Sequence, residues 1–257
     1  MAKKRITLSV ALAVYNEASN LERCLRSVGN LADEMIVVDG GSSDATVDIA
    51  KRLAAKVYHT DNPAMFHINK QKALDKSSGE WILQLDADEV VSASLKEEIR
   101  DVIVSGLTPN GYFISRHNYF LGDWLRKGGQ YPDYVIRLFR NGFGEFPQQS
   151  VHEQIKIDGP VGHLNHALEH YSYTSIAQYW DKSSAYIRLT ADELSKRKDS
   201  RSVATLFSYL IAKPVGTFLS LYLRHKGFVD GWRGFLFAFF SAMHFPKAYI
   251  LSITQAS

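Results

Sequence analysis

Three groups of polar residues in this 257-residue chain have types and spacings that could do chemistry. The strongest is Asp86-Ala87-Asp88-Glu89, where a short apolar run beginning at Trp81 ends in three carboxylates. Read as a strand, the run alternates, and Asp86 and Asp88, two residues apart, point to one side of its end. Two carboxylates on one side make a hard-oxygen site suited to Mg²⁺ or Mn²⁺, ions that commonly hold the diphosphate of a nucleotide. On spacing alone, a solvated strand-to-loop turn is the favoured reading of the triplet, and the rest of the chain shifts the balance. The other two groups are Tyr15-Asn16-Glu17 and Asp39-Gly40-Gly41-Ser42-Ser43-Asp44. His163, His166 and His170 are spaced by three and four, which invites a zinc reading, but no acid or cysteine cluster accompanies them.

The elements that must position these groups follow from periodicity. Residues 6–14 form a nearly continuous apolar run, as in a central parallel strand. Leu21, Cys24, Leu25 and Val28 recur at helical spacing. A second strand over 35–38 leads into Asp39, and a helix holding Val47, Ile49, Ala50 and Leu53 starts with Asp44 as cap. A third strand covers 56–59, a helix 69–77 is ended by Gly79, and a fourth strand enters Asp86. Strand and helix alternating over short links predict an open doubly wound α/β sheet, in which ligands bind beyond the carboxyl ends of the strands. All three polar groups fall at such ends. Beyond a surface helix over 95–104, residues 111–120, 134–139 and 154–157 read as strands of a mixed or antiparallel extension, with a Gly- and aromatic-rich loop over 121–133.

Charge is unevenly spread. The net charge is +3, yet from Arg201 onward there are six Lys/Arg and a single acid, Asp230. Residues 203–253 are aromatic and apolar but interrupted by Lys213, Arg224, Lys226, Asp230, Arg233 and Lys247. The uncharged stretches fall short of the ~20 residues a spanning helix needs. Amphipathic helices lying in the interface of an anionic leaflet are therefore expected, with packing on the N-terminal domain or a second subunit as the alternative. A homo-oligomer is compatible with that alternative, and no nucleic-acid partner is expected. Cys24 is the single cysteine, so no internal disulfide forms. The basic start followed by an apolar stretch mimics a signal peptide, but the stretch is short and has no convincing cleavage site; it reads as a buried strand.

The order and spacing of four elements over residues 8–89 resemble family 2 glycosyltransferases of the GT-A fold. They are the strand into Tyr15-Asn16-Glu17, Val37-Val38-Asp39-Gly40-Gly41-Ser42-Ser43-Asp44-Ala45-Thr46, Asn69-Lys70-Gln71-Lys72-Ala73-Leu74, and Asp86-Ala87-Asp88-Glu89. The run from Gly128 to Arg140, Val151-His152-Glu153, Lys213-Pro214 and Phe228-Val229-Asp230-Gly231-Trp232-Arg233-Gly234 resemble a narrower branch. That branch is the lipopolysaccharide core β-glucosyltransferases acting on inner-core heptose. The resemblance implies a UDP-sugar donor. It assigns Tyr15, Glu17 and Asp39 to the base and ribose, with Lys72 or Gln71 reaching the same region. It assigns Asp88 to the metal, divides Asp86 between ribose and metal, and makes His152 the late histidine that completes the metal site. Asp133, four residues before Arg137, is the implied catalytic base, although Pro132 stands where many members carry Glu. Arg137 is assigned to the diphosphate; Arg140, at odd strand spacing from it, faces away. Trp124, Gly128 and Gly129 shape the acceptor loop.

The expected fold is α/β: a GT-A sheet, Rossmann-like, mixed and nucleotide-sugar-binding, over residues 1–200, followed by a C-terminal amphipathic helical membrane-associating segment over 201–257. The expected activity is metal-dependent, inverting transfer of a hexose, glucose foremost, from a UDP-sugar to a lipid-linked saccharide at the cytoplasmic face of a bacterial inner membrane, where the protein is peripheral. Transfer to polyprenyl phosphate or another lipid-linked glycan is the enzymatic alternative. A sugar-nucleotide or glycolipid binding protein is the non-enzymatic one.

Overall fold

The computed structural model describes residues 7–63, 65–105, 109–147, 154–197 and 199–254. Its first half alternates as the periodicity demands: β1 (Leu8–Val14), α1 (Ala18–Val28), β2 (Glu34–Asp39), α2 (Thr46–Arg52), β3 (Lys56–His59), α3 (His67–Asp75) and β4 (Trp81–Gln84). Then come β5 (Glu89–Val91), α4 (Ala93–Ser105), β6 (Gly111–Phe120), β7 (Asp123–Trp124), β8 (Tyr134–Arg140), β9 (Gly144–Glu145), β10 (Lys156–Ile157), β11 (Val161–His163), β12 (Leu168–Tyr173) and α5 (Ile176–Ser195). The main sheet runs β3-β2-β1-β4-β8-β6-β12-β5, and β9 and β10 form a separate pair. β3, β2, β1 and β4 are parallel, and β8 joins β4 antiparallel. This is the mixed GT-A sheet.

Burial explains the strand assignments. β1 and β4 lie between neighbours and are buried along almost their whole length, as a parallel strand covered on both faces must be. The helical stripe Leu21, Cys24, Leu25 and Val28 is the face that α1 buries against them. Gly79 does not end α3, which stops at Asp75. A Cβ at Gly79 would sit 2.7 Å from the Ser9 backbone nitrogen and from Ser9 Oγ, so close approach to β1 requires glycine there.

The edge of the sheet opposite the candidate site is fastened on one buried carboxylate. Glu34 Oε1 accepts from Ser9 Oγ at 2.6 Å, from the Ser78 N–H at 2.7 Å and from Ser78 Oγ at 2.8 Å. Glu34 Oε2 meets Lys56 Nζ at 2.6 Å. Burial works to raise the Glu34 pKa, but the Lys56 ammonium and the Ser9 and Ser78 hydrogen bonds outweigh it and lower the value from 4.5 to about 2. A depressed carboxylate pKa contributes stability that is present above the unfolded value and lost as pH falls towards the folded one. The unfolding free-energy difference between the wild type and Glu34→Gln should therefore be constant above pH 4.5 and shrink between there and about pH 2. Parallel urea-unfolding stabilities across that window would refute this role.

The chain divides into two compact units, at points other than residue 200: Met1–Arg116 with Asp133–His170, and His117–Pro132 with Tyr171–Ser257. The first holds the parallel strands and their helices. The second is built on α5 and two C-terminal helices, Val203–Arg224 and Gly231–Thr254. Phe120, Leu125, Tyr179 and Phe240 form one of its cores, and Leu194, Tyr209 and Tyr249 another.

The C-terminal helices differ from the sequence expectation in one respect. Val203–Arg224 is 22 residues long, and Gly227–Thr254, with its opening 3-10 turn, is 28, so both are long and apolar enough to cross a membrane by length and composition. The charges that cut the sequence into short uncharged stretches do not cut the helices, because Lys and Arg are good helix formers. Lys213 and Lys247 also lay their ammonium groups over the rings of Tyr209 and Trp180, at 3.5 and 3.4 Å. Phe207, Ile211, Val215, Leu219 and Leu223, spaced by four, form an exposed apolar stripe along the first of the two.

Candidate active site

β4 ends at Gln84, so Asp86, Ala87 and Asp88 lie in the turn between β4 and β5 rather than on a strand end. Strand alternation therefore does not govern their carboxylates, and the expectation of a shared side gives way to separate partners. Asp86 is ion-paired through Oδ1 with Lys70 Nζ and through Oδ2 with Arg137 Nη2, the latter at 2.5 Å. Asp88 Oδ1 lies 3.5 Å from His170 Nε2. The pairing of β12 with β5 sets this up by placing His170 opposite Glu89. His170 stands on β12, and its partner is this carboxylate. His163 instead stacks on Phe113 at 5.1 Å. Beneath the turn, the buried Cys24 of α1 places Sγ 3.6 Å from the Asp86 carbonyl oxygen. Burial, with Glu89, Asp88 and Asp86 nearby, pushes the Cys24 thiol well above its usual range.

Glu89 is fully buried. Its Oε2 accepts the Asp86 N–H at 3.0 Å, which closes the turn. Its Oε1 meets Arg137 Nη2 at 2.8 Å and Arg116 Nη1 at 3.4 Å. Arg116 also donates from Nη2 and Nε to Asp133 Oδ2, at 2.7 and 3.0 Å. Arg137 completes its set at Gln84 Oε1. Three cations, Lys70, Arg116 and Arg137, thus interleave with three carboxylates, Asp86, Glu89 and Asp133. Such burial is tolerated because the charges compensate one another. Burial opposes the charge on Asp86, but Arg137, Lys70 and Arg116 hold its carboxyl well below the usual carboxylate range. Burial likewise opposes the charge on Arg137, and Asp86 and Glu89 push its pKa above the usual guanidinium value. Lys70, Asp86, Arg116 and Arg137, with Phe66 and Ile136, line a cavity of about 260 Å³. Arg140 lies apart from this set, 3.3 Å from Glu80 and over the Trp81 ring.

The other candidates stand at the ends of β1 and β2 and on α3. Asp39 is buried and fills the turn-forming role: its carboxylate accepts from the Gly41 N–H at 3.1 Å and the Ser42 N–H at 3.2 Å, with His59 Nδ1 at 3.3 Å. The Glu17 N–H donates to Thr46 Oγ1 at 2.8 Å, and Glu17 Oε2 accepts from Asn20 Nδ2 at 2.9 Å. Asn16, at φ +54°, accepts the Ser43 N–H at 2.8 Å. These bonds fasten the loop after β1 to the loop after β2 and leave the Tyr15 ring exposed. Lys72 reaches Thr60 Oγ1 and stands 3.6 Å from Asp61, outside the charge network. Gln71 turns to Asp75 and the Phe146 N–H.

Trp124, Gly128 and Gly129 belong to the second unit. There Trp124 stacks on His117 at 4.1 Å and meets Tyr131 edge-on at 5.1 Å, and the two glycines take φ of +64° and +74°. His152 lies outside the described residues. Lys70, Glu89, Arg116 and His170 were not read as site residues from the sequence. Lys70 and Glu89 stand inside the quoted motifs and were legible there. Arg116 has no local signal; the β6–β8 ladder, with Ser115 opposite Tyr134, delivers it to Asp133.

Among the described residues no group of three or more His, Cys, Asp or Glu is arranged to hold a metal ion. Asp88 and His170 nevertheless offer an oxygen and a nitrogen donor side by side, a pair that fits a divalent cation. Asp86 is already engaged by two cations.

The sequence model of glycosyl transferase family 2 matches residues 9–152, more than half of the chain, and the chain belongs to that family. An uncharacterized glycosyltransferase of Rickettsia typhi is 30% identical over 96% of this chain and 88% of its own length. The lipopolysaccharide core biosynthesis glycosyltransferase LpsC of Rhizobium meliloti is 28% identical over 96% of this chain and 94% of its own. Among solved structures, S. aureus TarS 1-349 in complex with UDP is similar with a TM-score of 0.49 and 15% identity, over 98% of this chain and 91% of that one.

Proposed function

We propose that this glycosyltransferase moves a hexose, glucose foremost, from a UDP-sugar to the inner-core heptose of lipopolysaccharide, inverting the anomeric centre. The observation that carries the reading is the cavity lined by Lys70, Arg116 and Arg137. Cations fixed where a diphosphate leaving group gains charge lower the barrier to its departure. Arg137 and Lys70 also anchor Asp86, so the same cations shape the carboxylate turn. Tyr15, Glu17, Asp39 and Lys72 flank the uridine, with carboxylates accepting from its N–H or hydroxyls. Asp133, oriented by Arg116, takes the proton of the acceptor hydroxyl as C1 is attacked from the face opposite UDP. A divalent ion, Mg²⁺ or Mn²⁺, held by Asp88 with His170 or His152 and with Asp86 nearby, would neutralise charge on the diphosphate. The naming of LpsC for lipopolysaccharide core biosynthesis supports the acceptor class.

Residues 201–257 dock the enzyme, as a peripheral protein, on the cytoplasmic face of the inner membrane. Lys213 falls midway along the Val203–Arg224 helix, where a charge at the bilayer centre costs roughly 2.5–3.5 kcal/mol. That favours lying in the interface, with the stripe from Phe207 to Leu223 towards the acyl chains and the basic residues towards anionic headgroups.

The test is UDP release across a panel of UDP-sugars, with Mg²⁺, Mn²⁺ or EDTA, and with heptose-containing core lipid presented in anionic vesicles. The expected result is release from one donor that needs both metal and core lipid, by protein that sediments with the vesicles. Release stimulated only by polyprenyl phosphate would replace the acceptor. Tight UDP binding with no release under any pairing would overturn the catalytic reading, and protein left in the supernatant would overturn the membrane one.

A further inference from the structure

Asp230 is the single acid in the sequence after Arg201, set in an otherwise basic and apolar tail. Its carboxylate is used for one purpose in the second unit. Oδ1 accepts the Arg126 N–H at 3.0 Å, and Oδ2 accepts the Lys127 N–H at 2.9 Å. The next amide, Gly128 N–H, donates to the His225 carbonyl at 2.9 Å. Three consecutive backbone amides of the 121–131 loop are thus held by the turn between the two C-terminal helices, across about a hundred residues of sequence.

The joint is sterically specified as well. A Cβ at Gly227 would lie 2.8 Å from the Leu221 carbonyl oxygen and 3.5 Å from Gly128 Cα. One at Gly234 would lie 1.9 Å from the Gly227 carbonyl oxygen. Only glycine allows backbones to approach so closely, and Gly128 also holds a left-handed φ of +64°. The loop so held contains Trp124, and in sequence it is bracketed by Arg116 and Asp133, which are bonded to each other. A segment whose backbone amides are held by a carboxylate is preorganised, which lowers the entropy lost when a ligand binds it.

We propose that Asp230 is a positioning residue for the saccharide acceptor: through the Arg126 and Lys127 amides it holds the 123–129 segment in the shape that receives the sugar. The proposal rests on the reading of that segment as the acceptor loop. Donor handling, which belongs to residues of the first unit, does not depend on Asp230.

The test compares full-length wild type, Asp230→Ala and Asp230→Asn for transfer from UDP-glucose to heptose-containing core lipid, alongside amide hydrogen exchange. In Asp230→Ala the acceptor KM should rise about tenfold or more, as expected when two hydrogen bonds to a charged group are lost. The donor KM should stay within about twofold of wild type by the same reasoning. Asp230→Asn, which keeps one acceptor oxygen, should fall between the two. Exchange at residues 126–128 should accelerate while β1 and β4 stay protected. Unchanged exchange at 126–128, or faster exchange with an unchanged acceptor KM, overturns the proposal. A parallel rise in donor KM would make Asp230 a general structural residue and overturn it too. Failure of the wild type itself to use the core lipid, with UDP still bound, overturns the acceptor reading and this proposal with it.

Discussion

Arg137→Met should lower the unfolding free energy at neutral pH by about 3–5 kcal/mol, the range for breaking a buried ion pair by removing one partner. Methionine keeps much of the length and apolar stem of arginine, so the loss is chiefly of charge. Arg137 is buried and bonds Asp86, Glu89 and Gln84 together. Without it, Glu89 is left fully buried with Arg116 at 3.4 Å, and Asp86 keeps its ion pair with Lys70. The pH dependence has a defined sign. Asp86 is held well below its ordinary value of 3.8, so its contribution is present above that value and disappears as pH falls through the folded pKa. The gap between wild type and variant should therefore narrow in acid, where protonation discharges the orphaned carboxylates. Glu89→Gln in the Arg137→Met background should recover part of the loss. Urea unfolding at several pH values measures all three, and equal stability at neutral pH would show that the network does not hold the turn.

Much of the sheet was legible because each strand is a short apolar run between turn residues: β3 and β6 have the bounds that their sequence suggests, and β1, β2 and β8 differ by a residue or two. The gathering of polar residues at the ends of β1 and β2 was legible for the same reason, since a polar residue after a buried strand has one place to go. Legibility fails where partners are set by ladders rather than by local pattern. Arg116 reaches Asp133, and His170 reaches Asp88, only once β6 lies beside β8 and β12 beside β5. The turn after β4 misleads in another way. Period-two alternation predicts one side for Asp86 and Asp88, but β4 ends too early to impose it, and Glu89 folds back onto the Asp86 N–H instead. In the tail, the charged residues that lower hydropathy are themselves good helix formers, so a composition that reads as broken is continuous in backbone.

Asp133→Asn should reduce acceptor-dependent transfer by at least ~10²-fold, the usual share of a general base, with donor affinity within a few fold of wild type. Asparagine is nearly isosteric and still offers an oxygen to Arg116, which contacts Asp133 through Nη2 at 2.7 Å and Nε at 3.0 Å. What it cannot do is take a proton from the acceptor hydroxyl. Arg116→Gln should also slow transfer, because it leaves the carboxylate without the guanidinium that orients it. It should also cost stability, through Glu89, which Asp133→Asn should not. The pair of variants therefore separates chemistry from scaffold: rate without stability for Asp133, both together for Arg116. UDP binding by calorimetry and single-turnover transfer, measured on the same preparations, supply the readouts. If UDP affinity collapses in Asp133→Asn along with the rate, the role of Asp133 is to frame the donor cavity rather than to take the proton, and the base must be sought elsewhere.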